Sequence, residues 1–330
     1  HHGGAGHHHP VPRDPPRRRA PFAMMGFITP ALVNSAVQAM TPILLAALAG
    51  VLCGRVGVFN MAMEGQLLVG AFGAVVGSYF LGSALGGVAV AVAATVVFSL
   101  ILAYGATVFR GDPVVICIGM NLLASGLTAF LLRQIFDVSG TFSDPAIVGL
   151  HHIRFDQIGA IPWLGWIFSR QTAVTWASWF LVAIVTIVMF LTPVGLRLRG
   201  VGEDASAAET MGVDVLRYRI VTVLVAGALA GLGGAQLSLG AVDTFSEDMS
   251  GGRGWIAVVA VMLGRNHPLW ASLACVLFGA ADSLSVRLQG EGLPNQLTDI
   301  VPYVVTLAAL AISRRRREKK AVIQTITANA

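Results

Sequence analysis

Long apolar runs separated by short polar or glycine-containing breaks recur along the whole of this chain. They fall at 31–53, 62–82, 84–109, 113–135, 172–192, 219–240, 254–264, 268–289 and 299–313. A hydrocarbon core of ~30 Å is crossed by about 20 helical residues rising ~1.5 Å each, and most of these runs approach or exceed that length. Segment 254–264 does not, and reads as a half-helix or a re-entrant element. The pattern predicts an all-α polytopic membrane protein with about eight to nine transmembrane or half-spanning helices. The longest connection, 136–171, holds Phe155, Trp163 and Trp166 around IPWLGWIF. It is expected to lie along the membrane surface, a boundary that favours Trp.

Composition agrees. Of the 330 residues, 55% are hydrophobic and 12% charged, with a mean hydropathy of +0.74. A soluble domain carries about 25% charged residues, so little polar surface is available here. Cys53, Cys117 and Cys275 sit in or at the end of apolar runs. An odd, scattered set with no metal spacing reads as small packed hydrophobes. The two lysines, Lys319 and Lys320, both lie in the C-terminal tail. A P-loop needs a lysine directly after its glycines, and stretches such as GALAGLGGAQ have none. Any ATP hydrolysis therefore belongs to another subunit. Residues 1–23 (HHGGAGHHHPVPRDPPRRRAPFA) lack the apolar centre of a signal peptide. They read as a disordered leader or tag-like segment rather than a metal site of His7, His8 and His9, with a natural start expected at Met24 or Met25. The domain plan is a transmembrane domain over 24–313, with a polar loop at 195–219, and a basic tail over 314–330.

The arginines orient this plan. If the first span starts outside and all nine segments cross, the inner ends carry Arg55, Arg110, Arg197 with Arg199, Arg217 with Arg219, Arg265 and RRRREKK. The outer ends carry Arg133, Arg154, Arg170, Arg253 and Arg287, spread singly. The basic excess falls inside, as the positive-inside rule requires. The tail is expected to anchor topology against anionic membrane lipid, not to bind nucleic acid. Gly73-Ala-Val-Val-Gly77 and Gly227-Ala-Leu-Ala-Gly231 are GxxxG patterns that let helices approach closely.

The loop GLRLRGVGEDASAAETMGVDVLRYR at 195–219 differs from the other connections. Asp204 or Ser206 can cap a short helix, Glu209 falls in its first turn, and Gly212 stops it. Its small residues Ala205, Ala207 and Ala208 suit insertion into a groove on a partner protein. A solvated helical connector would look the same. Within the spans, Asn121, Gln236 and Asp282 are costly against lipid and must face the bundle interior. There they serve as interhelical contacts or line a solute pathway. Arg287 lies too near the end of the same span to pair with Asp282. No arrangement suggests catalysis or a metal site, since His151, His152 and His267 fall in loops with no partner at motif spacing.

Ser206-Ala207-Ala208-Glu209-Thr210-Met211-Gly212 resembles the Ala-Ala-x-x-x-Gly cytoplasmic loop of ABC importer permeases, with Ser206 where the family usually has Glu. VGVFNMAMEGQLLVGAFGAVV is similar to the Asn-Ile-Gly-x-Glu-Gly-x-x-x-x-Gly-Ala segment of the nucleoside and simple-sugar branch. Asn60, Glu64, Gly65, Gly70 and Ala71 match, while Met61 and Ala62 depart. The resemblance covers nearly all of 30–313. It implies a permease subunit in a bacterial plasma (inner) membrane that passes nucleosides or related sugar-containing solutes. It further implies a separate ATPase using ATP and Mg, a second related permease in a hetero-dimer, and an extracytoplasmic solute-binding protein. This chain itself would hold no cofactor. Glu203, Ser206, Ala207, Ala208, Glu209 and Gly212 would then couple to the ATPase. The resemblance also suggests a chain break before Glu64. Asn60 and Glu64 would cap the helix that follows, an effect of about 0.3–1 kcal/mol, or line the pathway together with Gln66. Branched-chain amino acid and simple-sugar permeases remain alternatives. So does an ion-coupled secondary transporter, whose interrupted helices would correspond to 54–62 and the weaker echo DTFSEDMSGGRG at 243–254.

Overall fold

The computed structural model describes residues 30–153 and 171–290, with 300, 304, 305, 307 and 308. The leader 1–23, the aromatic residues Phe155, Trp163 and Trp166, most of 299–313 and the tail 314–330 lie outside the described residues. The chain forms α1 (Pro30–Arg55), α2 (Met63–Leu81), α3 (Ala84–Thr107), α4 (Pro113–Phe136) and α5 (Ala173–Leu191). Two short helices follow, α6 (Pro193–Glu203) and α7 (Ala205–Thr210), then α8 (Val215–Leu239), α9 (Arg253–Leu263) and α10 (Pro268–Gly290). Seven of these are long and apolar enough to cross a membrane, and α9 is a shorter apolar helix. Two minimal antiparallel ladders tie loops together. β1 (Thr141–Phe142) pairs with β4 (Phe245–Ser246), and β2 (His152–Ile153) with β3 (Gln171–Thr172).

Helix starts follow local chemistry. Asp112 precedes Pro113, and its Oδ1 accepts from Val114 N–H at 2.8 Å. This joins an N-cap acceptor to a proline at the first helical position, where no N–H is missed. Asp214 caps α8 in the same way, accepting from Arg217 N–H at 2.9 Å. The helix therefore begins four residues ahead of the apolar run at 219, because a cap sets a helix start even where the first turn is charged.

The centre is built on glycine. A Cβ on Gly70 of α2 would stand 2.9 Å from Gly231 Cα of α8, and one on Gly234 would stand 2.4 Å from Leu67 O. Gly73 and Gly77 lie against Ala91 and Val90 of α3, and Gly227 against Ser99. Both GxxxG pairs are thus contact faces, and α2, α3 and α8 meet nearly backbone to backbone. Lipid offers no hydrophobic drive between helices, so this close van der Waals packing is what holds them. α1 runs through the middle, with 78% of its apolar window buried, whereas α4 has 22% of its window buried and forms an edge.

The path through α9 decides the topology. At one end of the bundle Ser78 Oγ donates to Val148 O, and Leu150 N–H donates to Leu239 O, so the last turns of α2 and α8 lie together. At the other end Arg219 Nε donates to Val56 O, and Arg55 Nε donates to Asn266 O at 2.6 Å. The chain leaves α8 at the first end and reaches Asn266 at the arginine-rich end. It covers that distance by the irregular stretch 241–252 followed by the 11-residue α9. Segment 254–264 is therefore a half-helix that completes a crossing begun by a loop.

Candidate functional site

Two broken segments meet inside this bundle. Residues 56–62 return from the arginine-rich end and start α2, while 241–252 descend from the far end and start α9. A Cβ on Gly254 would sit 2.3 Å from Glu64 N and 2.4 Å from Glu64 Cα, so the two helix starts touch through their backbones. The Glu64 carboxylate joins them. Its Oε1 accepts from Gly252 N–H at 2.8 Å and its Oε2 from Gly254 N–H at 2.7 Å. Gly252 has φ +83° and no side chain with which to cap α9. Glu64 thus stands in the first turn of its own helix and also caps another, where both dipoles favour its charge.

Around this joint lies a layer of polar side chains. Asn60, buried, accepts from Ala62 N–H at 2.9 Å and donates to Gln66 Oε1 at 3.1 Å. Gln66, fully buried, passes the chain on to Ser99 Oγ at 2.9 Å. Asn121 of α4 accepts from Gly65 N–H at 2.9 Å and donates to Met61 O at 3.0 Å. It satisfies two backbone groups that the break leaves exposed. Asp282 of α10 is 3.3 Å from Arg253 Nη2, an ion pair across the start of α9. Arg253, from another helix, thus supplies the partner that Asp282's own span was not expected to provide. Gln236 lies elsewhere, accepting from Thr172 Oγ1 at 2.6 Å, and Thr172 in turn meets Thr175 at 3.0 Å. Asn60 and Gln66 are therefore directly bonded, while Asn121 and Glu64 share their layer through the backbone of 61–65 and the start of α9. Asp282 joins this layer through α9, and Gln236 belongs to a separate cluster.

Further residues enter that sequence reading did not single out. Ser125 of α4 donates to Asp248 at 2.7 Å, and Arg133 approaches Glu247 at 3.6 Å, which fastens the descending stretch 241–252 to α4. Gly251, Gly252 and Asp248 all have positive φ, a tight reversal inside DTFSEDMSGGRG, the run that the sequence marks as a weaker interruption. Ser99, a span residue in an apolar stretch, carries no comparable signal.

The loop between α5 and α8 is the second candidate. Asp204, not Ser206, caps α7, accepting from Ala207 N–H at 3.0 Å. Gly212 ends the turn at φ +81°, with nothing near the position a Cβ would take. Glu203, Ser206, Ala207, Glu209 and Gly212 are exposed, and Met211 is 83% exposed. Ala208 is buried in the core cluster and seats α7 on the bundle. The exposed rim of α7 is thus carried on a fixed base. Beside this end, the His267 ring stacks on Phe190 at 4.7 Å, and the guanidiniums of Arg55 and Arg199 lie 5.5 and 5.2 Å from the same Phe190 ring. Partial burial, with Arg55 nearby, holds the His267 imidazole below its ordinary pKa.

Known proteins resemble this chain over most of its length. The chain is 34% identical over 297 residues to the guanosine ABC transporter permease protein NupQ of Bacillus subtilis (strain 168), covering 84% of this chain and 90% of that one. It is 33% identical over 283 residues to the nucleoside ABC transporter permease protein NupC of Lactococcus lactis subsp. cremoris (strain MG1363), covering 82% and 88%. An ABC transporter of the metal-chelate type, solved in an inward-facing conformation, shares the fold at a TM-score of 0.51 and 17% identity, covering 84% of this chain and 85% of that one. The family described as the permease component of the branched-chain amino acid transport system matches residues 31–310. Since that match spans the whole bundle, including the Glu64 joint and the α7 loop, the chain belongs to this family of membrane permeases and is a transport component, not an enzyme.

Proposed function

We propose that this chain forms one half of the translocation pathway of an ABC importer for nucleosides or closely related sugar-containing solutes. The observation that carries the substrate class is the similarity to NupQ and NupC across more than four-fifths of the chain. A branched-chain amino acid or simple-sugar cargo is the competing reading, and measured uptake separates them. The two interruptions at 56–62 and 241–252 are of the kind that ion-coupled transporters also use, but here they lie in a chain of the ABC permease family.

In this reading a separate ATPase subunit uses ATP and Mg. Closure of the ATPase pair presses on the α7 rim at Glu203, Ser206, Ala207, Glu209 and Gly212, which is exposed and rigidly seated through Ala208. A second, related permease covers the open side of α4, where Leu122 and Phe130 are 73% and 60% exposed. An extracytoplasmic binding protein delivers the solute, and the assembly sits in a bacterial plasma (inner) membrane. Glu64 and Asn121 are partly exposed beside α4 and line the pathway together with Ser125 and Asp248. Asn60, Gln66 and Gln236 are at most 3% exposed, so they shape the pathway without touching cargo. Asp282 acts through Arg253. Such a pathway must hold its solute weakly enough to release it.

The test is uptake of labelled guanosine, uridine, ribose and leucine into proteoliposomes holding the purified importer with its ATPase and binding protein. ATP-dependent entry of the nucleosides alone is expected. Leucine entry without nucleoside entry would overturn the substrate class. Uptake driven by an ion gradient with no ATPase present would overturn the importer itself.

A further inference from the structure

A cavity of about 670 Å³ opens at the arginine-rich end, between α5, α6, the turn after α7 and the start of α8. Its wall and its rim differ in chemistry. Val188 of α5 and Val221 and Val225 of α8 form an apolar wall, with Val221 and Val225 about half exposed. All three positions belong to helices long and apolar enough to cross the membrane. Arg197 and Arg217 stand at the rim, both exposed, and among the described residues neither makes an ion pair. Arg197 Nη1 lies 3.4 Å from the Tyr218 hydroxyl, which brings that phenol to the same rim. The acid in the lining, Asp214, places Oδ1 on Arg217 N–H as the cap of α8. The rim therefore keeps a net positive charge above a greasy slot.

We propose that this cavity binds an anionic phospholipid, with its phosphate between Arg197 and Arg217 and an acyl chain against Val188, Val221 and Val225. A guanidinium pair at a membrane boundary recognises phosphate oxygens by charge and by hydrogen bonds. A free phosphate ion would gain nothing from the valine wall. A zwitterionic lipid presents a cation that the two arginines repel. The site adjoins Met211 and Gly212, so the headgroup sits against the turn that ends α7. It does not depend on which solute the permease carries.

The full-length chain, purified in mild detergent, is exchanged against equimolar phosphatidylglycerol and phosphatidylcholine with identical acyl chains, and bound lipid is counted by native mass spectrometry. The expected result is retained phosphatidylglycerol, preferred roughly thirtyfold, from about fivefold per arginine near an anionic surface. Arg197→Gln with Arg217→Gln should bring the two lipids close to parity. Val225→Trp fills the wall and leaves the charge alone, so it should lose the retained lipid as well, and it carries the test if the double variant does not fold. Arg265→Gln, an exposed arginine at the same end outside the cavity, should change nothing. An undiminished preference in the double variant overturns the proposal. An equal loss in Arg265→Gln reduces the effect to general surface charge, which also overturns it. Displacement of the lipid by millimolar inorganic phosphate would make this an ion site and overturn the lipid assignment.

Discussion

Replacing Glu64 by Gln keeps the size of the side chain and removes one acceptor. The carboxylate receives two backbone N–H groups, from Gly252 at 2.8 Å and Gly254 at 2.7 Å, one on each oxygen. An amide offers one oxygen. Its NH₂ group would face the second N–H, donor against donor. A hydrogen bond to a charged group contributes about 1.5–3 kcal/mol, and a buried donor left unsatisfied costs about 1–3 kcal/mol. Glu64 is partly exposed, so the lower parts of these ranges apply and the expected loss is about 2–4 kcal/mol. That exceeds the 0.3–1 kcal/mol of an ordinary helix-dipole contact, because the side chain holds a second helix as well as its own. Asp, one methylene shorter, reaches only one of the two amides and should fall between Gln and the native residue. Thermal unfolding in detergent can be followed with a thiol-reactive dye, since Cys53, Cys117 and Cys275 are all buried and free and become accessible on unfolding. A midpoint drop of several degrees is expected for Gln. A Gln variant within one degree or so of the native protein would show that the carboxylate is not what holds α9 against α2.

Four further outcomes follow from the structure. Gly254→Ala should destabilise strongly or block folding, because its Cβ would meet Glu64 backbone atoms at 2.3–2.4 Å. Gly119→Ala on α4, with nothing within 4 Å, should be neutral or slightly stabilising in the same thiol-unmasking assay. A double-mutant cycle on Arg253→Gln and Asp282→Asn should give a coupling of about 0.5–3 kcal/mol, and strict additivity would show that the pair at 3.3 Å contributes nothing. For His267, burial and Arg55 lower the folded-state pKa, so its neutral form is favoured in the fold. Its contribution is present above the unfolded value of about 6.5 and is lost as pH falls below it. His267→Gln should therefore lose less stability than the native protein between about pH 7 and pH 5, and identical pH profiles would rule this out.

The spans were legible in the sequence because apolar length is a local property. The runs at 84–109, 113–135 and 268–289 match α3, α4 and α10 within two residues at each end. The start of α8 was missed by four residues, since hydropathy does not register an aspartate cap in front of arginines. The glycine faces were legible as patterns, though not which helices they would join. The meeting of Glu64 with Gly252 and Gly254 could not be read, because it links positions 188 and 190 residues apart and depends on how two breaks are stacked. The partner of Asp282 lies 29 residues upstream on another helix, beyond the reach of any pattern along its own span. Ala208 was legible as a small residue on a short helix. Which way it faces is set by packing against the bundle, and no local signal carries that.

The dependence of α9 on Glu64 also bears on the order in which the protein is made. With 11 residues, α9 is about 16 Å long, roughly half of a ~30 Å core, and the N–H groups of Gly252 and Gly254 at its start find their acceptor on Glu64. Released alone into lipid, residues 241–266 would present unpaired backbone and would not settle as a span. The acceptor belongs to a helix synthesised 188 residues earlier. When the ribosome delivers this segment, the carboxylate that completes it is already in the membrane. The late half of the chain thus inserts onto a template left by the early half. A truncated or permuted gene that delivered α9 before α2 would lose that template, even though every residue were present.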